Sequence, residues 1–426
     1  MKILVKNCAI IPMTDENIFV SNASIGIEKG KISFIGEVPP DFIPDRILNG
    51  YNKLVLPGLI NSHTHIPMSL LRNYADDLAL EDWLFKKVMP IEDKFTENDV
   101  YWGSMLSIAE MILSGTTCFN DMYYMMDEEA EAVQIAGIRA VLGIGIGSSA
   151  ISKNKFEKSI QFYKDWHNKA EGRITITIDP HAIYTCSRDS LIESMRIAES
   201  LKVPLHIHLS ESKKEVNDSI KKYGETPIKY LYDLGFFEIP TLAAHCVYVT
   251  DQDIDILVNN KVTVLHNPSS NLKLANGIAP IQKMLDAGIN VALGTDGAAS
   301  NNNQNMFEEI HLAALLGKVS PLDAEAISSY DALHMATRNG ARALNLLGSI
   351  GTIEIGKKAD LIIVNVDKPH FYPHHNLVSA MVYSAQAADV ESVIVDGNIL
   401  MERRELKTID IKEVYYEIDK IKEKLF

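Results

Sequence analysis

Cysteine is scarce in this chain and unpatterned. Cys8, Cys118, Cys186 and Cys246 lie far apart in 426 residues with no C-x-x-C pair, which argues against a disulfide-built scaffold and a thiolate zinc centre. No apolar stretch approaches the ~18 residues a membrane span requires, and the opening MKILVKNCAIIPMTDEN lacks a long apolar segment with a small-residue cleavage site. A cytoplasmic protein with reduced core thiols is the expectation. Positive charge is also in deficit: 41 Lys and Arg face 56 Asp and Glu, a formal charge of −15, so neither a phosphate backbone nor an anionic lipid surface is an attractive partner. The H-x-E and P-C-x-x-C signature of nucleic-acid cytidine deaminases is missing. What remains favoured is a small neutral or cationic ligand.

The chain is longer than a single core usually serves, so one large unit and a smaller one are expected. Residues 2–12, 23–28 and 31–36 read as strands, the last two joined by a hairpin turn at Glu28 to Lys31. From Pro57 short apolar runs alternate with amphipathic segments. Eight candidate strands follow, at 55–61, 115–120, 139–146, 174–179, 203–209, 241–246, 262–266 and 290–295. Helical spacing marks Asn98 to Leu113, Phe156 to Lys169, Asp189 to Leu201 and Asn305 to Leu316. This alternation predicts an α/β fold, a (β/α)8 TIM-type barrel over 57–345. Beyond Asn345 the β pattern returns, so 1–56 and 346–426 are expected to join in a small β-sandwich domain. A charged helix from Ile409 to Leu425 closes the chain as a solvated surface element.

His63 and His65 end the run VLPGLINSHTH, and residues two apart in a strand share a face, so two imidazoles can grip one cation. His208 and Glu211 in PLHIHLSE, His245 in TLAAHCV and Asp296 in NVALGTDG each close a β-like run of their own. In a barrel those strand ends converge on one mouth. Activating water with a cation needs a few neutral imidazoles, a carboxylate and one position left for water, a set that His63, His65, His208 and Asp296 supply. Blander readings stand beside these: a buried histidine for His245, a loop cap for Asp296, a first-turn helix acid for Glu211.

The motifs LPGLINSHTH, PIED, DPHAIYT, HLSE, AAHCV, HNPSSNLKLANGIAP, GTDGAASNN and IGTIEIGKKADLIIV, in this order, resemble the amidohydrolase superfamily over nearly the whole chain. They are most similar to its branch of 5′-methylthioadenosine/S-adenosylhomocysteine deaminases. The resemblance implies one divalent ion, zinc first, although iron and manganese share such ligands. A single ion is implied because ITITIDPH lacks the lysine that bridges two metals in binuclear members. It favours His208 over His206 as ligand, gives Asp296 and His245 to the attacking water and Glu211 to proton transfer, and assigns Glu92 to ribose hydroxyls and His181 to the bound nucleoside. Trp83 reads as a pocket wall or as core.

The expected reaction is hydrolytic deamination of an adenine nucleoside to the inosine analogue and ammonia. Substrates in view are 5′-methylthioadenosine, S-adenosylhomocysteine, 5′-deoxyadenosine and adenosine. Relatives that accept an amino-acid tail can place arginine after the third strand, whereas here GIGIGSSA is followed only by Lys153 and Lys155. Lysine meets a carboxylate as a point charge, which favours neutral tails. Met68, Met89, Met122, Met125 and Met126 are candidates to receive a thioether. The alternatives are an aminohydrolase of guanine or a pterin, a triazine-type chlorohydrolase, and a non-catalytic binding protein. Oligomeric state, a homo-oligomer included, is left open.

Overall fold

A computed structural model describes residues 1–14, 18–147 and 152–426, with the side chains of residues 152 and 153 excepted. Parallel strands Leu59–Thr64, Thr116–Tyr123, Arg139–Ile146, Ile174–Ile176 with Asp179–Pro180, Leu205–Leu209, Thr241–His245, Thr263–His266 and Val291–Leu293 form a distorted (β/α)8 barrel. Its two arcs join through the parallel bridges Ile178 to Leu205 and Ala182 to His208. At the other seam the Asp296 N–H donates to His63 O at 2.9 Å. Helices Glu97–Leu113, Met126–Ala136, Ser152–Trp166, Arg188–Leu201 and Met306–Val319 are among those that surround it.

The first expected strand, 55–61, is in fact two. Lys53–Pro57 pairs antiparallel with Leu361–Asn365, then the chain crosses at Gly58 and Leu59–Thr64 pairs parallel with Thr116–Tyr123. A Cβ at Gly58 would stand 2.0 Å from Thr117 Oγ1, so only glycine permits the crossing. The fourth strand also breaks, into Ile174–Ile176 and Asp179–Pro180.

Both chain ends build one nine-stranded mixed sheet in which Lys2–Ile10 and Lys53–Pro57 sit beside Leu361–Asn365 and Val390–Val395. Its hairpin turns through Lys29 at φ 52° and Gly30 at φ 76°, the left-handed pair a tight two-residue turn demands. Ile3, Val5, Ile10, Ile25, Ile27, Val55, Leu361, Ile363 and Ile394 form its own apolar core. We propose 1–56 with 346–426, and 57–345, as the two units, the sheet strand Lys53–Pro57 running one residue past the first limit. The buried Arg139 guanidinium joins them, with Nε 2.8 Å from Asp360 Oδ2 and Nη2 3.1 Å from Oδ1. The terminal helix, Ile411–Leu425, is amphipathic rather than wholly solvated. It buries Val414, Ile421 and Leu425 against Glu97–Leu113, and Lys424 Nζ meets Asp99 at 2.6 Å. Among the described residues no helix is long and apolar enough to cross a membrane.

Candidate active site

Every residue singled out at a strand end reaches the carboxyl-terminal mouth of the barrel, where a cavity of about 310 Å³ is lined by His65, Glu92, His181, His208, Glu211, His245 and Asp296. His63 lies just beneath, wholly buried. The potential ligand atoms of His63, His65 and His208 lie within 4.8 Å of one another, as do those of His63, His245 and Asp296. His65 Nε2 is 3.2 Å from His208 Nε2 and 3.2 Å from Asp296 Oδ1, and His63 Nε2 is 3.5 Å from Asp296 Oδ1. Ligand atoms that share one cation at ~2.0–2.1 Å stand roughly 3 Å or a little more apart, so these spacings fit one ion.

The hydrogen bonds behind the rings agree. His65 Nδ1 faces Met122 O at 2.6 Å, His208 Nδ1 faces His181 O at 2.7 Å, and His245 Nδ1 faces Asn271 Oδ1 at 2.9 Å. These oxygens can only accept, so each Nδ1 carries the proton and each Nε2 turns a lone pair to the centre. His63 Nε2 is buried without a hydrogen-bond partner. Both candidate ligand groups among the described residues share His63, as a single ion requires.

Burial holds His63 and His208 well below the ordinary imidazole range, keeping both neutral. Burial acts the same way on His65, yet without a cation Asp296 and Asp121 outweigh it and its pKa is pushed up to about 9, so an ion binding at its Nε2 would displace a proton. Burial alone would raise Asp296, but His63 and His65 hold its carboxyl well below the usual range. It is an ionised oxygen donor throughout neutral pH. Ser270 and Ser300 hydroxyls donate to its Oδ2 at 2.6 and 2.9 Å, and the Gly297 N–H donates to Oδ1 at 2.8 Å. His245 at φ 74° and Asp296 at φ 63° occupy the left-handed region, strained backbone of the kind that collects at functional sites.

Glu211 precedes the helix cap Ser212 rather than sitting in the first turn, where the acid is Glu215. Glu215 accepts the Ser210 and Glu211 N–H groups at 3.1 and 2.8 Å, which fixes the strand-to-helix turn. Asn276 donates to Glu211 Oε1 at 2.8 Å, and Oε2 lies 3.9 Å from His245 Nε2. Burial raises the Glu211 pKa, which favours the protonated form that a proton donor needs. Asn271, Asn276, Ser270 and Ser300 escaped sequence reasoning. They lie in the motifs HNPSSNLKLANGIAP and GTDGAASNN, which carried the resemblance without a role for these side chains.

The Tyr123 hydroxyl donates to Glu92, whose pKa burial raises. His181 Nδ1 is engaged by Thr185 Oγ1 at 2.8 Å, and burial lowers the ring's pKa to about 3. Trp83 is both wall and core: it lines the cavity and belongs to the barrel's apolar cluster. Met68, Met89 and Met122 line the cavity, whereas Met125 caps a helix at the surface and Met126 is buried in the core, so these two do not serve it. Lys155 lines the cavity with Nζ 4.2 Å from the Tyr124 ring centroid. The side chain of Lys153 and residues 148–150 of GIGIGSSA lie outside the described residues.

The amidohydrolase family model matches residues 54–400. A 5-methylthioadenosine/S-adenosylhomocysteine deaminase of Thermoanaerobacter pseudethanolicus is 53% identical over 423 residues, covering 99% of this chain and 98% of the relative. A zinc-bound adenosine deaminase structure from Xanthomonas campestris superposes with a TM-score of 0.95 at 32% identity, covering 99% and 98% of the two chains. The zinc-complexed atrazine chlorohydrolase of Arthrobacter aurescens, at 24% identity and TM-score 0.91 over 99% of this chain and 100% of that one, shares the fold. With matches of this extent, the chain belongs to the amidohydrolase family, in its methylthioadenosine/S-adenosylhomocysteine deaminase-like branch.

Proposed function

We propose that this protein is a metal-dependent hydrolase that deaminates an adenine nucleoside, replacing the exocyclic amine of the purine with the oxygen of water to give the inosine analogue and ammonia. The observation that carries this reading is Glu211, a buried carboxyl with raised pKa set 3.9 Å from His245 at the edge of the His65, His208 and Asp296 cluster. His63, His65, His208 and Asp296 would hold one divalent ion, most simply zinc. When bound, that ion supplies Lewis-acid activation of water.

The chain's own groups do the rest. Asp296 takes the proton the attacking water gives up, and His245 holds the attacking oxygen. Glu211 protonates the ring nitrogen that gains electron density, then takes the proton of the hydroxyl that becomes the carbonyl and passes it to the departing amine. The proton held by Asp296 returns to solvent, from which Glu211 is reprotonated. Glu92 accepts from ribose hydroxyls, His181 contacts the nucleoside through its remaining ring nitrogen, and Trp83 walls the base. Leu80, Leu84, Phe85 and Met89 leave an apolar surface for a 5′ substituent, with Lys155 as a cation among these walls. 5′-Methylthioadenosine and 5′-deoxyadenosine fit that lining better than the charged tail of S-adenosylhomocysteine. Four buried free thiols suit a reducing cytoplasm.

Ammonia release measured in steady state over adenosine, 5′-deoxyadenosine, 5′-methylthioadenosine and S-adenosylhomocysteine tests the reading, with guanine and a pterin as controls. Higher kcat/KM for either control would replace it. Tight nucleoside binding without turnover by metal-loaded protein would turn it into a binding protein.

A further inference from the structure

Of the four imidazoles at the centre, three have Nδ1 against an oxygen that can only accept, at Met122, His181 and Asn271. His63 differs. Its Nδ1 lies 2.8 Å from His206 Nε2, another imidazole, which can either give or take a proton. Alone, that contact leaves the His63 tautomer undecided. His206 Nδ1 in turn stands 3.3 Å from Asp179 Oδ2, and His63, His206 and Asp179 are all 0% exposed. With His206 Nδ1–H donating to Asp179, His206 Nε2 accepts from His63 Nδ1–H, and His63 Nε2 is left as a lone pair facing Asp296 and the other ligands.

We infer that Asp179 and His206 act as a positioning relay that locks His63 in the tautomer and orientation a divalent cation needs. His206 is therefore no filler: it lies two residues before His208 on one strand face, one layer deeper in the barrel. Asn120 Nδ2 stands 3.3 Å from His206 Nδ1 but is turned to Ser62 O, to which it donates at 2.9 Å. A second observation comes from the neighbouring strand. A Cβ at Gly143 would stand 2.1 Å from the Asp179 carboxyl carbon, so the absence of a side chain there is what admits the carboxylate. A buried charged pair is weak evidence of a stabilising role, since apolar replacement is often neutral or better. Partners behind a ligating histidine, by contrast, are worth about 10–100-fold in metal affinity.

This inference rests on His63 being a ligand, and its test reads metal rather than turnover. Zn2+ affinity is measured by chelator competition on metal-free protein, alongside the Tm of the metal-free form. His206→Leu is expected to weaken Zn2+ binding about 10–100-fold and to lower the metal-free Tm, because buried Asp179 loses its partner. His206→Gln, whose amide oxygen can accept from His63, should recover most of the loss. Asp179→Asn and Gly143→Ala should each weaken binding several-fold, and they carry the test if His206→Leu fails to fold. Wild-type affinity in His206→Leu, or equal loss in the Leu and Gln variants, overturns the relay. So does unchanged affinity in both Asp179→Asn and Gly143→Ala. Full affinity in His63→Ala would instead overturn the ligand assignment.

Discussion

In the sheet built from the two chain ends, the buried positions are hydrocarbon: Ile3, Val5, Ile10, Ile25, Ile27, Leu361, Ile363 and Ile394. At the barrel mouth the equally buried positions are His63, Asp121, Asp179, His206, Glu211, His245 and Asp296. Burying hydrocarbon stabilises a fold by about 25 cal/mol per Å². Burying ionisable groups costs stability unless each is paired, so the mouth is assembled against the tendency that assembles the sheet. The contrast separates what a substitution changes: in the sheet it should move Tm and leave chemistry alone, and at the mouth the reverse.

The sharpest way to break that separation is Asp296→Ala. It removes the anionic donor nearest both His63 and His65. The expected outcome is a folded protein that has lost bound metal by elemental analysis and turnover beyond detection. Full metal occupancy would show that the cluster is held together for some other purpose. Next comes Glu211→Gln, which keeps the shape and the Asn276 contact region but loses the titrating carboxyl. Metal content should be unchanged and kcat should fall about 10²–10⁴-fold. Unaltered kcat would remove Glu211 from proton transfer.

At the junction the two kinds of burial meet. Arg139 leaves the barrel and grips Asp360 through two hydrogen bonds, and Asp360 also accepts the Asp396 N–H at 2.8 Å. Asp360→Ala strands a buried guanidinium, which costs about 3–5 kcal/mol of stability. Denaturant unfolding should show that loss while kcat and metal content of the folded fraction stay as in wild type. A selective drop in kcat instead would mean that the sheet sets the geometry of the mouth.

How far the sequence reveals this arrangement follows the same division. His63, His65, His208, Glu211, His245 and Asp296 were legible because each ends an apolar run, and barrel topology converts run ends into neighbours. The crossing at Gly58 was not, because hydrophobic continuity from Leu54 to Ile60 conceals a change of sheet. Nor was the role of His206. Its meaning depends on Asp179 and Gly143, residues 27 and 63 positions away brought together only by strand register. The tethers Asn271 and Asn276 were hidden for the same reason. A loop's side-chain partners are set by where it packs, and local composition records only that it is polar.

The smallest effect belongs to the rim, where the two materials mix. Lys155 stands over the Tyr124 ring, burial lowers its pKa, and no acidic partner accompanies it among the described residues. A cation so placed can meet the carboxylate of an amino-acid tail, but only through a flexible point contact worth little beside a bidentate fork. Lys155→Met should therefore raise KM for S-adenosylhomocysteine several-fold and leave kcat near wild type. For 5′-methylthioadenosine the same change should leave KM unchanged or lower it, because the lining gains apolar surface and no charge is lost to the substrate. The comparison of the two substrates cancels any general damage to the pocket. Equal shifts for both would make Lys155 part of the wall and leave the 5′ tail to be read by Leu80, Leu84, Phe85 and Met89 alone.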